Sequence, residues 1–324
     1  MLVLGLQGSP RKNGNTCYLL SAFMDKVQNP GVQTRVISVR DKNITPCLGC
    51  GFCEKKGRCI ITGDDMATEI YTLLRRADVI VVATPVFFFN MPSRLKALVD
   101  RCQTFWSLKY RLKVRDPLAD TRRGFLLSAG GSRGKNLFDG LVLTTRYFFD
   151  AVGARYSGSL VYRGIDKKGE MRNHPDVTAD VKKAATGLLT PLAARKRVLF
   201  ACRENACRSQ MAAAFAAHLA GDRIDAQCAG SKPAGMTNPD MVRVMAEKGI
   251  DMQFRKPRAL ESVIAGMSPQ LLVTMGCGEE CPFVPGAEVM DWDLHDPAGQ
   301  SLDFMRAARD RIEERVRRLV EDEF

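Results

Sequence analysis

Apolar and polar positions alternate in blocks along this chain. LVLGLQ at 2–7 is a short apolar run, followed by a loop rich in glycine and asparagine and then a helix from about Thr16. TRVISV at 34–39, ADVIVVATP at 77–85, RRGFLLSAGG at 122–131 and YSGSLVY at 156–162 repeat the strand pattern. The third of these five runs is apolar throughout, as strands buried on both faces are. Stretches at 65–76, 92–104, 136–152 and 177–190 fit the intervening helices. Strand-then-helix units in this order predict a doubly wound parallel sheet, with ligands gathering at the carboxyl ends of the strands.

LTPLAARK at 189–196 breaks the pattern with a proline and small or basic residues. A second alternation opens with RVLFAC at 197–202, with strands near 225–229 and 271–275 and helices at 208–220, 239–248 and 301–323. The expected fold class is therefore α/β, with two doubly wound parallel-sheet domains at 1–190 and 196–324. A chain of 324 residues is long enough to give each its own core.

Charge changes the picture for the first domain. Residues 1–195 carry 31 Lys and Arg against 16 Asp and Glu, a net of +15, and residues 196–324 carry 17 against 20, a net of −3. No aromatic-basic platform or recognition-helix pattern accompanies the basic half, so nucleic acid is not an expected partner. A basic face beside phosphate sites, or a docking surface for an acidic electron carrier, is expected instead. No apolar run is long enough for a membrane span, and the first residues lack the marks of a signal peptide. The expected location is cytoplasmic.

Eleven cysteines in a reducing compartment point to metal ligation or thiol catalysis rather than to disulfide staples. Four lie between 47 and 59, two at 202 and 207, and two at 277 and 281. Cys17, Cys102 and Cys228 stand alone and are expected to be packed.

After the first strand, Gly8-Ser9-Pro10-Arg11-Lys12-Asn13-Gly14-Asn15-Thr16 runs into a helix. Hydroxyls, backbone N–H groups and a helix amino end make a phosphate cradle. It is neither a dinucleotide fingerprint nor a Walker loop, and it suits the phosphate of flavin mononucleotide (FMN). The third strand ends in Thr84-Pro85-Val86-Phe87-Phe88-Phe89-Asn90 and the fourth in Ser128-Ala129-Gly130-Gly131, so three loops converge on one site. Cys47, Cys50, Cys53 and Cys59, spaced C-x2-C-x2-C-x5-C, offer four thiolates within one short loop, as a 4Fe–4S cluster requires. Zinc is the alternative for four cysteines, but two CxxC steps sharing a cysteine fit a cubane better than a zinc ribbon.

On these motifs, residues 1 to about 165 resemble the NADPH-dependent FMN reductase and iron–sulfur flavoprotein group of the flavodoxin-like fold. The resemblance implies that Ser9, Arg11, Gly14, Asn15 and Thr16 hold the FMN phosphate. It places Thr84, Pro85, Val86, Phe87, Phe88 and Asn90, with Ala129, Gly130 and Gly131, around the flavin ring. Phenylalanine stands at 87 and 88 where tyrosine is common, so a hydroxyl contact is missing there. The resemblance also implies NAD(P)H or a ferredoxin as electron donor and, by analogy, a homo-oligomer.

In the second domain Cys202-Arg-Glu-Asn-Ala-Cys207-Arg208-Ser209 is a C-x5-R-S motif between a strand and a helix. Its backbone amides and Arg208 would wrap a tetrahedral oxyanion, and the same environment is expected to lower the pKa of Cys202 and make it nucleophilic. Ser209 would hydrogen-bond the thiolate, and Asp296 would act as general acid. C-x5-R leaves phosphatase and reductase tied. Cys277 and Cys281 break the tie, because a reductase needs a second thiol to attack the Cys202 adduct.

VLFACRENACRSQMA, VTMGCGEECP and DWDLHDPAG then resemble the thiol-dependent arsenate reductases of the low-molecular-weight phosphatase fold. Two departures stand out: the redox pair is C-x3-C rather than more widely spaced, and Ala213 replaces a glutamate of the potassium site. Cys207 is expected to be structural. The function expected is arsenate reduction to arsenite through Cys202 and an intramolecular disulfide, with electrons from the FMN domain or from thioredoxin. The alternatives are a low-molecular-weight tyrosine phosphatase fused to an FMN reductase, two independent activities on one chain, and a non-catalytic oxyanion-binding protein.

Overall fold

The computed structural model describes residues 1–276 and 284–324, so Cys277 and Cys281 lie outside the described residues. Two parallel sheets are present. The first contains β1 (Leu2–Gln7), β2 (Gln33–Ser38), β3 (Val79–Pro85), β4 (Arg123–Gly130) and β5 (Arg155–Arg163), in the spatial order β2-β1-β3-β4-β5. The second contains β6 (Lys196–Cys202), β7 (Ile224–Gly230), β8 (Leu271–Thr274) and β9 (Glu288–Asp291), in the order β7-β6-β8-β9. Every neighbouring pair runs parallel. The doubly wound α/β class is thus present twice.

The chain divides into two units: Met1–Leu112 with Thr121–Pro191, and Lys113–Asp120 with Leu192–Phe324. The second unit is thus built from two stretches of chain. Within it, Arg115 donates its N–H to Gly249 O at 2.8 Å and its carbonyl accepts from Asp251 N at 2.7 Å. The helix Val177–Ala193 continues past the expected stop at 190 and contains Pro191. Proline forfeits one backbone bond but keeps a helical φ, so the last turn persists.

Sequence pattern explains most of the elements. All six positions of β1 are buried, as are the first six of β3. The alanine-rich helix Arg208–Ala220 is buried on nearly every side and packs with Leu302–Glu323, whose Met305, Ile312, Val316, Leu319 and Val320 form one apolar stripe. Ser301 caps that last helix by accepting from Phe304 N at 3.2 Å. β9 is the strand the sequence does not announce. It reads EVMD with three exposed positions, and short charged edge strands carry no apolar run.

In each sheet the chain leaves the central strand on one side and returns on the other, between β1 and β3 and again between β6 and β8. Connections part there and leave a crevice at the carboxyl ends. Both candidate sites begin at that point. No helix among the described residues is long and apolar enough to cross a membrane.

Candidate functional sites

In the first unit the loop after β1 turns into the helix Asn15–Lys26, whose amino end has no side-chain cap. Its first N–H groups therefore remain available to an anion. They open on a cavity of about 150 Å³ lined by Ser9, Arg11, Gly14, Asn15, Thr16, Pro85, Val86, Phe87, Ala129, Gly130 and Gly131. All three loops singled out by sequence meet there. Uncapped amides, the Ser9 hydroxyl, and Arg11 and Lys12 suit the phosphate of an FMN, and Pro85 to Phe87 supply an apolar wall.

Three expected contacts lie elsewhere. Thr84 is fully buried and braces the sheet, its hydroxyl donating to Pro85 O and its carbonyl accepting from Ser128 Oγ at 2.6 Å. Asn90 donates to Thr144 Oγ1 at 2.9 Å and accepts from Met91 N. Phe87 and Asn90 pair through both backbone bonds, closing a two-residue turn in which Phe88 and Phe89 have φ of 49° and 59°. That left-handed pair is unusual for bulky side chains. It projects Phe88 wholly into solvent rather than towards the cavity.

Asn15 lines the cavity, yet its amide is spent. It donates to Lys167 O at 2.9 Å, and its Oδ1 accepts from Gly169 N and Met171 N. It thus straps the loop after β5 to the helix end. That loop brings Ile165, Asp166 and Lys168 into the lining, which the sequence reading missed. The position alone, at another strand's carboxyl end, was the available signal.

The cysteine loop is closed at its neck by a fully buried ion pair. Arg101 pairs with Asp64, their side chains 0% and 2% exposed, and also donates to Thr45 O at 2.7 Å and Ile61 O at 3.2 Å. The four thiols themselves are not gathered. Cys47 and Cys50 are exposed, and Cys53 accepts from Ser107 Oγ at 3.3 Å. Among the described residues no three His, Cys, Asp or Glu side chains form a group able to hold a metal ion. As folded, these cysteines do not fit a cubane.

In the second unit Cys202 ends β6, 3% exposed. Its Sγ lies 3.0 Å from Ser209 Oγ and accepts from Asn205 N at 3.2 Å. Carbonyls of the loop face outwards: Cys202 O accepts from Ser231 N, Arg203 O from Lys232 N, Glu204 O from Ala234 N and Ala206 O from Asn238 N. Committing the carbonyls to the outside leaves the amides for the inside, which is what an oxyanion needs. A Cβ on Gly230 would stand 2.5 Å from Arg203 O and 2.8 Å from Asn205 N, so only glycine fits behind the loop.

Asn205 is a strut that sequence reasoning passed over. It is fully buried with φ of 50°, a conformation asparagine tolerates. It donates to Ser209 Oγ at 2.8 Å and accepts from Arg258 N at 2.9 Å. Arg208, nearly buried, donates through Nη1 to Met275 O and Leu294 O, and through Nη2 to Asp296 Oδ2 at 2.6 Å. Asp296 is half exposed. One expectation is corrected here: burial pushes the Cys202 thiol up from its ordinary pKa. The Ser209 hydroxyl, the Ser209 and Asn205 amides and the Arg208 charge act in the opposite sense and do not outweigh it. The Cys207 thiol, also buried, is pushed up to about 12.

Residues 1–154 match the family described as NADPH-dependent FMN reductase, and residues 197–323 match the low molecular weight phosphotyrosine protein phosphatase family. An iron-sulfur flavoprotein of Methanosarcina thermophila is 36% identical over 133 residues, 41% of this chain and 65% of that protein. One from Methanocaldococcus jannaschii is 39% identical over 101 residues, 31% of this chain and 51% of that protein. The chain thus spans about half to two thirds of the length of these flavoproteins. A glutaredoxin arsenate reductase of Synechocystis sp. is 35% identical over 127 residues, 39% of this chain and 96% of that protein. A putative arsenate reductase of Halobacterium salinarum is 38% identical over 130 residues, 39% of this chain and 90% of that protein.

Proposed function

The chain belongs, through residues 197–323, to the arsenate reductases of the low molecular weight phosphatase family, fused behind an FMN reductase domain at 1–154, and on that premise we propose that it reduces arsenate to arsenite at Cys202. The observation that carries the reading is the loop at 202–208, with its carbonyls tied outwards and Cys202 Sγ beside Ser209 and the Asn205 amide. A free tetrahedral oxyanion finds donors there on several sides, and a nucleophile at its base.

In this reading Cys202 attacks arsenic, the loop amides and Arg208 hold the oxygens, and Asp296 protonates the one that departs. Cys277 or Cys281 then attacks Cys202 sulfur, releasing arsenite and leaving a disulfide. The Arg208–Asp296 contact has to loosen for the carboxyl to serve as an acid. In the first unit Ser9, Arg11, Gly14 and Thr16 would hold an FMN phosphate, with Pro85 to Phe87 against the ring. Bound flavin would supply reversible electron transfer with a nicotinamide.

Electrons delivered to the first unit by NAD(P)H or a ferredoxin would reopen the disulfide, tethering raising the local concentration of reductant. Thioredoxin or glutaredoxin is the external alternative, and a cytoplasmic setting suits both. The iron–sulfur cluster is supported by the cysteine spacing and by the names of the flavoprotein relatives, not by the arrangement of the thiols.

The test is arsenate turnover with dithiothreitol as reductant, read as arsenite. Cys202→Ser is expected to abolish it. Cys277→Ser or Cys281→Ser is expected to stop it after one thiol adduct. Brisk aryl phosphate hydrolysis, with arsenite release in Cys277→Ser and Cys281→Ser no lower than in the unaltered protein, would instead establish the phosphatase.

A further inference from the structure

Inorganic arsenate is a compact anion that the loop at 202–208 accommodates by itself. Beside it the second unit holds a cavity of about 370 Å³ that arsenate has no use for. One wall is Arg208, the loop's own cation, and another is Leu294 with His295, directly before Asp296. The floor is apolar: Leu294 and Ile312 are buried, Ala308 is half-buried, and the ring of Phe304 is partly exposed at the side. Arg311 and His295, both exposed, stand at the opening. An apolar floor with a few convergent polar groups is how small-molecule sites are built.

We propose that this cavity receives the organic substituent of a monosubstituted oxyanion, so that the second unit also reduces arsonates bearing an aromatic arm. The inference rests on the arsenate-reductase reading and extends its substrate class. The oxyanion sits in the loop against Arg208, and the arm passes the same guanidinium into the cavity. The guanidinium of Arg311 at the opening would further favour an arm that ends in a carboxylate.

The chemistry balances without a new reactant. Written for the neutral arsonic acid, Cys202 Sγ bonds to arsenic while one As–OH bond breaks, and that hydroxyl leaves as water with the Cys202 thiol proton. A second thiol of the chain then attacks Cys202 sulfur. The S–As bond breaks with its electron pair staying on arsenic, which falls from As(V) to As(III), the second thiol's proton passes to the remaining As=O oxygen, and the two thiols become one disulfide. The product is the dihydroxy organoarsenical.

The test separates the cavity from the reductase reading. Protection of Cys202 from iodoacetamide measures affinity for phosphate, phenylphosphonate and 4-carboxyphenylphosphonate, none of which can be reduced. Phenylphosphonate is expected to protect roughly tenfold better than phosphate, a value in keeping with one ring in an apolar site. Ala308→Trp, which fills the cavity, is expected to erase that preference, and Arg311→Glu to weaken the carboxyphenyl probe selectively. In turnover, the ratio of kcat/KM for phenylarsonate to that for arsenate is expected to fall roughly tenfold in Ala308→Trp. If phenylphosphonate protects no better than phosphate, or if the turnover ratio is unchanged in Ala308→Trp, the cavity is not a substrate site. If wild-type protein reduces no arsenate at all, the reductase reading fails, and the protection series still decides the cavity.

Discussion

At Cys202 burial and hydrogen bonding oppose each other, and burial prevails. The thiol then becomes nucleophilic only as pH rises towards its elevated folded value. Ser209→Ala removes the hydroxyl that lies 3.0 Å from the sulfur and is expected to push the thiol up further. The pH profile of iodoacetamide alkylation should therefore shift to higher pH; an unchanged profile would mean that Ser209 does not hold the thiolate. Stability follows the same sign: a thiol whose pKa is raised on folding stabilises the protein below its unfolded value, and that stabilisation is lost as pH climbs through the folded one. Cys202, Arg208 and Ser209 were all legible in the sequence, because C-x5-R-S is dense with chemistry. Asn205 and Gly230 were not, since a strut and a clearance behind a loop leave no motif.

At the scale of elements, the neck of the cysteine loop depends on one buried pair. Arg101→Met would strand Asp64 without its cation and is expected to cost about 3–5 kcal/mol, read from the midpoint of urea unfolding. The double change Arg101→Met with Asp64→Leu should cost less, because neither charge is left alone. An equal loss in both would show that the pair acts through packing only. Strands came through clearly from sequence: β1 and β3 are runs of buried residues, and their boundaries fall within a few positions of the apolar blocks. Loop conformations did not. Phe88 and Phe89 occupy a turn usually built from asparagine and glycine, and only the Phe87–Asn90 backbone pair shows why an aromatic run beside a ligand cavity faces away from it. The loop after β5 enters the same cavity through the side chain of Asn15, a link between residues far apart in sequence.

Over the whole molecule charge is unevenly distributed, with +15 on residues 1–195. If an acidic protein supplies electrons to the first unit, its rate of reduction should fall steeply as ionic strength rises, since surface fields are screened beyond about 10 Å at 0.1 M salt. Stopped-flow reduction by ferredoxin at several salt concentrations, beside NADPH as a small donor, tests this; equal salt dependence for both would remove the case for a docked carrier. The two-sheet organisation was legible because each strand-helix alternation announces its own sheet. The membership of Lys113–Asp120 in the second unit was not, because nothing local marks a segment whose partners lie far along the chain. That segment also sets an order on biosynthesis. Arg115 leaves the ribosome about 130 residues before Gly249 and Asp251, so at ordinary elongation rates it waits on the order of ten seconds for its partners. The second unit is complete only after the nascent chain has kept an early segment free, and a fragment made of residues 192–324 alone would lack one of that unit's own pieces.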